Sequence, residues 1–208
     1  MTAPEKRVSR AAAIIRQGGT VIYPTETLYA LGASGLDHRA AARVAELKGR
    51  QADKPLPLII SGMDQLGQVT AWGHETFVRL TELFWPGPLS ILVPAGEGLS
   101  PLVADRDGWT SVRQSSNRVA RDLARASGTP IVATSANLAG EPPVARLEDI
   151  DPGLSATVDL VVDVKPYPRG GLPSTVVRIL GRDRVQLARE GALKAGQIQA
   201  WGFEICSG

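Results

Sequence analysis

Apolar residues recur at helical spacing in the first segment. Val8, Ala12 and Ile15 share one face of a helix predicted over 5–17, and Gly18-Gly19 can take the left-handed conformation that closes it. An apolar run over 20–23 predicts a strand, and Pro24, which has no amide hydrogen, ends its pairing and leaves Thr25, Glu26 and Thr27 on a turn. Asp37 can cap a second helix carrying Ala40, Ala41, Val44 and Leu47 on one face and ended by Gly49. Further on, strands are predicted over 56–60 and 89–93, around a helix over 75–84 with Phe77, Leu80, Leu83 and Phe84 on one side. The run Trp85-Pro86-Gly87-Pro88 breaks that helix, and 94–108 reads as an irregular loop. Val112 and Arg113 end another strand, and Asn117 caps a helix bearing Val119, Leu123 and Ala124 that Gly128 stops. Strands over 131–133, 158–162, 175–179 and 185–188 follow, the last two flanking a turn at Gly181, and 194–201 closes with a helix.

Strands and helices alternate early and strands cluster late, which predicts a mixed α/β layered fold without fixing its topology. The 208 residues, 43% of them hydrophobic, suffice for one domain that buries a core without disulfides. Cys206 is the lone cysteine, and no apolar run approaches the ~18 residues of a membrane span, so a soluble, cytoplasmic protein is expected. A net charge of +2 is too mild for a protein that binds nucleic acid by neutralising phosphates, but it leaves room for a small anion.

Familiar phosphate loops, dinucleotide turns and nucleophile elbows are absent, and two histidines with one cysteine make a metal cage improbable. Four constellations remain. Lys48-Gly49-Arg50 sits where a helix ends: both cations can turn toward one phosphate, or they can simply complement the helix dipole. In Thr134-Ser135-Ala136-Asn137, an extended chain points Ser135 and Asn137 the same way, although an ordinary polar turn would also look like this. Thr25-Glu26-Thr27 could hold a small polar substrate bearing an amine, or cap a helix. Arg113, Ser174-Thr175 and Arg189 lie at strand edges, where a surface position is the plainer reading. Asp105, Asp107, Glu148, Asp149 and Asp151 read as solvated loop acids, Trp85 as a core or hinge residue, and Trp72, Trp109 and Trp201 as too scattered for a base-stacking platform.

In order, the blocks from Gly19 to Thr27, Lys48-Gly49-Arg50, Lys54-Pro55-Leu56, Trp85-Pro86-Gly87-Pro88, Thr134 to Asn137, Ser174-Thr175 and Arg189 to Ala192 resemble the YrdC-like family of threonylcarbamoyl-AMP synthases. The likeness spans about residues 10 to 198. It implies one domain with a twisted open sheet, helices packed on it and a concave basic cavity. It also implies an enzyme that joins L-threonine, bicarbonate and ATP, with Mg2+, into threonylcarbamoyl-adenylate and pyrophosphate. The product would supply downstream proteins that modify adenosine 37 of tRNA, and weak tRNA binding is compatible with the family. By position, Lys48, Arg50, Ser135 and Asn137 match the tetrad that holds the phosphates, Ser174 and Arg189 match further nucleotide contacts, and Thr25 and Arg113 match positions near the threonine. No resident metal site is implied. The chain departs from the family pattern at Ala30, at Glu26 where Asp is common, and over Arg113-Gln114-Ser115-Ser116-Asn117. A relative acting on another carbamoyl-type substrate, or a noncatalytic RNA-binding module, are the competing readings.

Overall fold

The computed structural model describes residues 1–49 and 54–206. Helix α1 (Ala3–Arg16) begins two residues earlier than the periodicity indicates, because Thr2 and Glu5 form a reciprocal capping box and Pro4 needs no amide partner in the first turn. Its buried face is Val8, Ala11, Ala12 and Ile15. Strands β1 (Val21–Pro24) and β2 (Tyr29–Gly32) form an antiparallel pair across the Thr25 turn. Helix α2 (His38–Leu47) starts where the Asp37 carboxylate accepts from the Arg39 and Ala40 amides at 2.9 and 3.1 Å, and Gly49 leaves it at φ +60°. Strand β3 (Leu58–Ile60), helix α3 (Glu75–Phe84), and strands β4 (Leu89–Pro94) and β5 (Trp109–Gln114) follow. Then come α4 (Arg118–Ser127), β6 (Ile131–Val132), β7 (Thr134–Ser135), α5 (Pro152–Thr157), β8 (Leu160–Val161), β9 (Thr175–Gly181), β10 (Arg184–Arg189), α6 (Ala195–Gln199) and β11 (Glu204–Cys206).

Two open sheets result, which bears out the mixed α/β reading. The larger runs β11-β10-β9-β4-β5-β3-β6 and the smaller β7-β2-β1-β8. One stretch of extended chain passes between them: residues 131–132 pair with β3 in the large sheet, and after Ala133 residues 134–135 pair with β2 in the small one. One apolar cluster unites residues of both sheets with α2 and α3, including Leu31, Val44, Leu58, Phe77, Ile91 and Val177. A second packs α1 and α4 against Val21, Tyr23 and Ile59. At roughly 1.5–3 kcal/mol for each large apolar side chain removed from water, these clusters dominate the stabilisation of the layers.

Several expectations need correction. Trp72 and Trp109 are not scattered: their rings meet edge to face at 5.7 Å, and the Arg178 guanidinium lies 4.7 Å over Trp109. Asp105 and Asp151 are not merely solvated acids. Asp105 accepts from the Asp107 and Trp109 amides, and Asp151 caps α5 by accepting from Leu154 N at 2.8 Å. Trp85 is 9% exposed and donates to the Leu89 carbonyl at 2.7 Å, as a core residue should. Among the described residues no helix is long and apolar enough to cross a membrane.

Candidate functional site

A cavity of about 620 Å3 opens between the sheets, walled by the Thr25 turn, the end of α2, the start of β3, Ser90 of β4, Arg113 of β5, the 133–137 crossing, and Ser174 and Arg189 beside β9 and β10. Its charged lining among the described residues is Lys48, Lys54, Arg113, Arg189 and Glu141.

Helix α2 delivers Lys48 as its C-terminal cap, and the left-handed turn at Gly49 follows it. Lys48 is 8% exposed. Its ammonium lies 2.8 Å from the Ser135 carbonyl oxygen and 3.0 Å from that of Asn137, with Ser135 Oγ and Asn137 Oδ1 each at 3.1 Å. Residues separated by nearly ninety positions therefore meet around one charge. The loop is held from the other side as well: Asn137 Nδ2 donates to the Leu138 and Glu141 carbonyls, and Ala139 N donates to the Lys48 carbonyl at 3.0 Å. The helix-dipole reading of Lys48 thus misses its main contact. Arg50, the other cation of that motif, lies outside the described residues.

On the opposite wall Arg189 donates through Nε and Nη2 to the Ser174 carbonyl at 3.1 and 2.8 Å, and through Nη2 to Ser174 Oγ at 3.2 Å. Ser90 Oγ stands 3.0 Å from Ser174 Oγ. Ser90 escaped the sequence reading, though a lone hydroxyl inside the apolar run Leu89-Ser90-Ile91-Leu92 was a usable signal. Burial, and then the positive charge of Arg113, both lower the basicity of Arg189. Two guanidinium groups that repel each other across a cavity favour an anion between them.

Arg113 is 6% exposed and lines the cavity, yet its Nη1 has no hydrogen-bond partner. Glu26 Oε1, also unpartnered, lies 3.4 Å from it. The Ser115 hydroxyl donates to Glu26 Oε2 and accepts from Asn117 N at 3.1 Å, and Asn117 caps α4 by accepting from Val119 N at 2.9 Å. The unusual segment after Arg113 is therefore knitted into the turn that carries Thr25. Thr25 itself reaches the cavity wall, but its hydroxyl donates to the Leu28 carbonyl at 2.7 Å and accepts from the Leu28 amide at 3.2 Å, which spends it on the turn. Behind this wall the Tyr23 phenol donates to the Val132 carbonyl at 2.8 Å. Burial raises its pKa far above the ordinary value, with Arg113 opposing and Glu26 reinforcing.

Set beside known proteins, residues 13–191 match the family model described as telomere recombination, which covers Sua5, YciO and YrdC. The chain is 34% identical over 197 residues to the threonylcarbamoyl-AMP synthase of Bacillus subtilis, covering 94% of this chain and 56% of that one. It is 35% identical over 191 residues to the synthase of Stenotrophomonas maltophilia, covering 84% of this chain and 98% of that one. Pyrococcus abyssi Sua5 complexed with L-threonine superposes at TM-score 0.88 with 31% identity, over 97% of this chain and 59% of that one. Escherichia coli YciO, at 24% identity and TM-score 0.78 over 93% of both chains, shares the fold. The chain spans little more than half the length of the first of these relatives.

Proposed function

The chain belongs to the Sua5, YciO and YrdC family, and from that premise we propose that its cavity makes L-threonylcarbamoyl-AMP and pyrophosphate from L-threonine, bicarbonate and the magnesium complex of ATP. The observation that carries this reading is the convergence of Lys48, Ser135 and Asn137 on one wall of a cavity whose other walls hold Arg113 and Arg189.

The reaction suits these groups. The threonine amine takes up CO2 to give a carbamate, and a carbamate oxygen attacks the α-phosphorus and expels pyrophosphate. Both partners are anions, so the barriers are repulsion and alignment, which fixed cations and hydrogen-bond donors lower. In this reading Lys48, Arg50, Ser135 and Asn137 hold the phosphates, Ser174 and Arg189 hold the nucleotide, and Arg113, with the turn formed by Thr25, receives the threonine carboxylate. Mg2+ would enter as part of the ATP substrate and offset charge on its phosphates, a role that needs no carboxylate cage from the protein. The product, a mixed anhydride, must be consumed by a group-transfer reaction, and the tRNA-modifying proteins of the family's pathway are its recipients.

Incubation with ATP, Mg2+, bicarbonate and L-threonine should release pyrophosphate in a threonine-dependent way, with the adenylate identified by mass spectrometry and serine and glycine offered in competition. Release that is independent of threonine, or no release, refutes the assignment.

A further inference from the structure

We propose that Glu26, locked by Ser115, is the positioning residue that aims Arg113 at the substrate carboxylate and so sets selectivity for an amino acid over other amines. The inference rests on the synthase reading and deepens it at the threonine end. Glu26 is not itself part of the cavity lining among the described residues, which corrects the expectation that the Thr25-Glu26-Thr27 turn presents this carboxylate to a substrate amine. It stands behind Arg113 instead.

The geometry is that of a half-made ion pair. Side-chain exposures of 7% for Arg113 and 10% for Glu26 put both charges out of bulk water. At 3.4 Å, Nη1 and Oε1 attract but share no hydrogen bond. The other carboxylate oxygen is held by the Ser115 hydroxyl, which is in turn anchored on the Asn117 amide at the start of α4. The carboxylate is therefore fixed by the protein, whereas the guanidinium is held by charge alone and retains donor capacity toward the cavity. A second guanidinium, Arg189, pushes on it from the nucleotide side. Without the negative charge of Glu26 that repulsion would be unopposed, and Arg113 would turn from the pose that meets a carboxylate with two parallel N–H bonds.

The test compares E26Q, E26D and S115A with the unmodified chain, measuring pyrophosphate release against threonine and ATP separately and L-threonine binding by calorimetry. The unmodified chain must first bind threonine and release pyrophosphate; if it does not, the synthase reading fails and the positioning role is not what has been refuted. Given that activity, E26Q should raise the threonine KM by about tenfold or more while kcat and the ATP KM stay within about threefold. E26D should restore the threonine KM to within about threefold, because it keeps the charge. S115A, which removes one oxygen, should raise the threonine KM by about threefold, and it decides the matter if circular dichroism shows E26Q unfolded. A merely structural role would move both KM values and the melting temperature together. A threonine KM unchanged in E26Q, or in S115A where E26Q is unfolded, or a rise matched in the ATP KM, overturns the proposal.

Discussion

Replacing Lys48 by methionine keeps the length of the stem and removes the charge, so it isolates what the ammonium does. In the folded protein that ammonium faces four oxygens of Ser135 and Asn137 at 2.8 to 3.1 Å with only three protons to share. Two of the acceptors are backbone carbonyls of the crossing loop, which would lose a charged donor in a buried place. Each charge-assisted hydrogen bond contributes about 1.5–3 kcal/mol, and the ammonium makes several, but partners that rotate or admit water recover most of their sum, so the net loss is about 2–3 kcal/mol. For a chain of this size each kcal/mol shifts Tm by about 2–4 °C, which gives a fall of roughly 4–12 °C in a calorimetric scan. Under the proposed function turnover should fall further, by about 100-fold or more, because that reading sets the same cation against the developing phosphate charge. The pair of measurements matters: the variant should remain folded at 25 °C and yet lose pyrophosphate release. If Lys48→Met leaves both Tm and turnover unchanged, the cluster neither holds the loop nor binds phosphate, and the reasoning fails.

Two further outcomes follow from the packing. A Cβ on Gly191 would lie 2.1 Å from the Pro173 carbonyl oxygen and 2.7 Å from the Ser174 carbonyl oxygen, the acceptor Arg189 uses. Gly191→Ala should therefore cost about 1–3 kcal/mol in chemical denaturation and weaken ATP binding together, and a stable variant with normal nucleotide affinity would contradict that coupling. Asp159 accepts from Thr20 N at 2.8 Å and from Arg43 Nη1 at 2.9 Å; burial raises its pKa, but those partners prevail and the net shift is downward. A carboxylate depressed in the folded state stabilises above its unfolded value, near 3.8, and that stability is lost as pH falls through the lower folded value. Asp159→Asn should thus lower stability at pH 7 by about 1 kcal/mol, a figure tempered by solvent exposure, and flatten the acid limb of the stability curve, read from urea midpoints between pH 2 and 6. An acid limb as steep as the parent's would exclude Asp159 as its source.

Local periodicity was enough to place α1 to α4 and most strands of the large sheet, because amphipathic spacing, caps and glycine stops act over a few residues. The capping box at Thr2 shows the limit even there: it shifted the start of α1 by satisfying orphan amides that apolar spacing does not register. Strands β2, β7 and β11 and helix α5 were missed. These strands are two- to four-residue pieces stabilised by pairing with other strands, and α5 is a six-residue turn of helix built on the Asp151 cap.

For the site, the chain on its own fixed which residue types were available: a cation pair at a helix end, a hydroxyl and an amide two apart after a strand, and arginines at strand ends. It could not say that the 131–135 stretch leaves one sheet for the other, which is what turns Ser135 and Asn137 toward Lys48. Nor could it pair Ser90 with Ser174, or set Glu26 behind Arg113 rather than in the cavity. Those juxtapositions depend on sheet order and on which buried polar groups must find partners once water is excluded, and both are properties of the assembled layers rather than of any local run of residues.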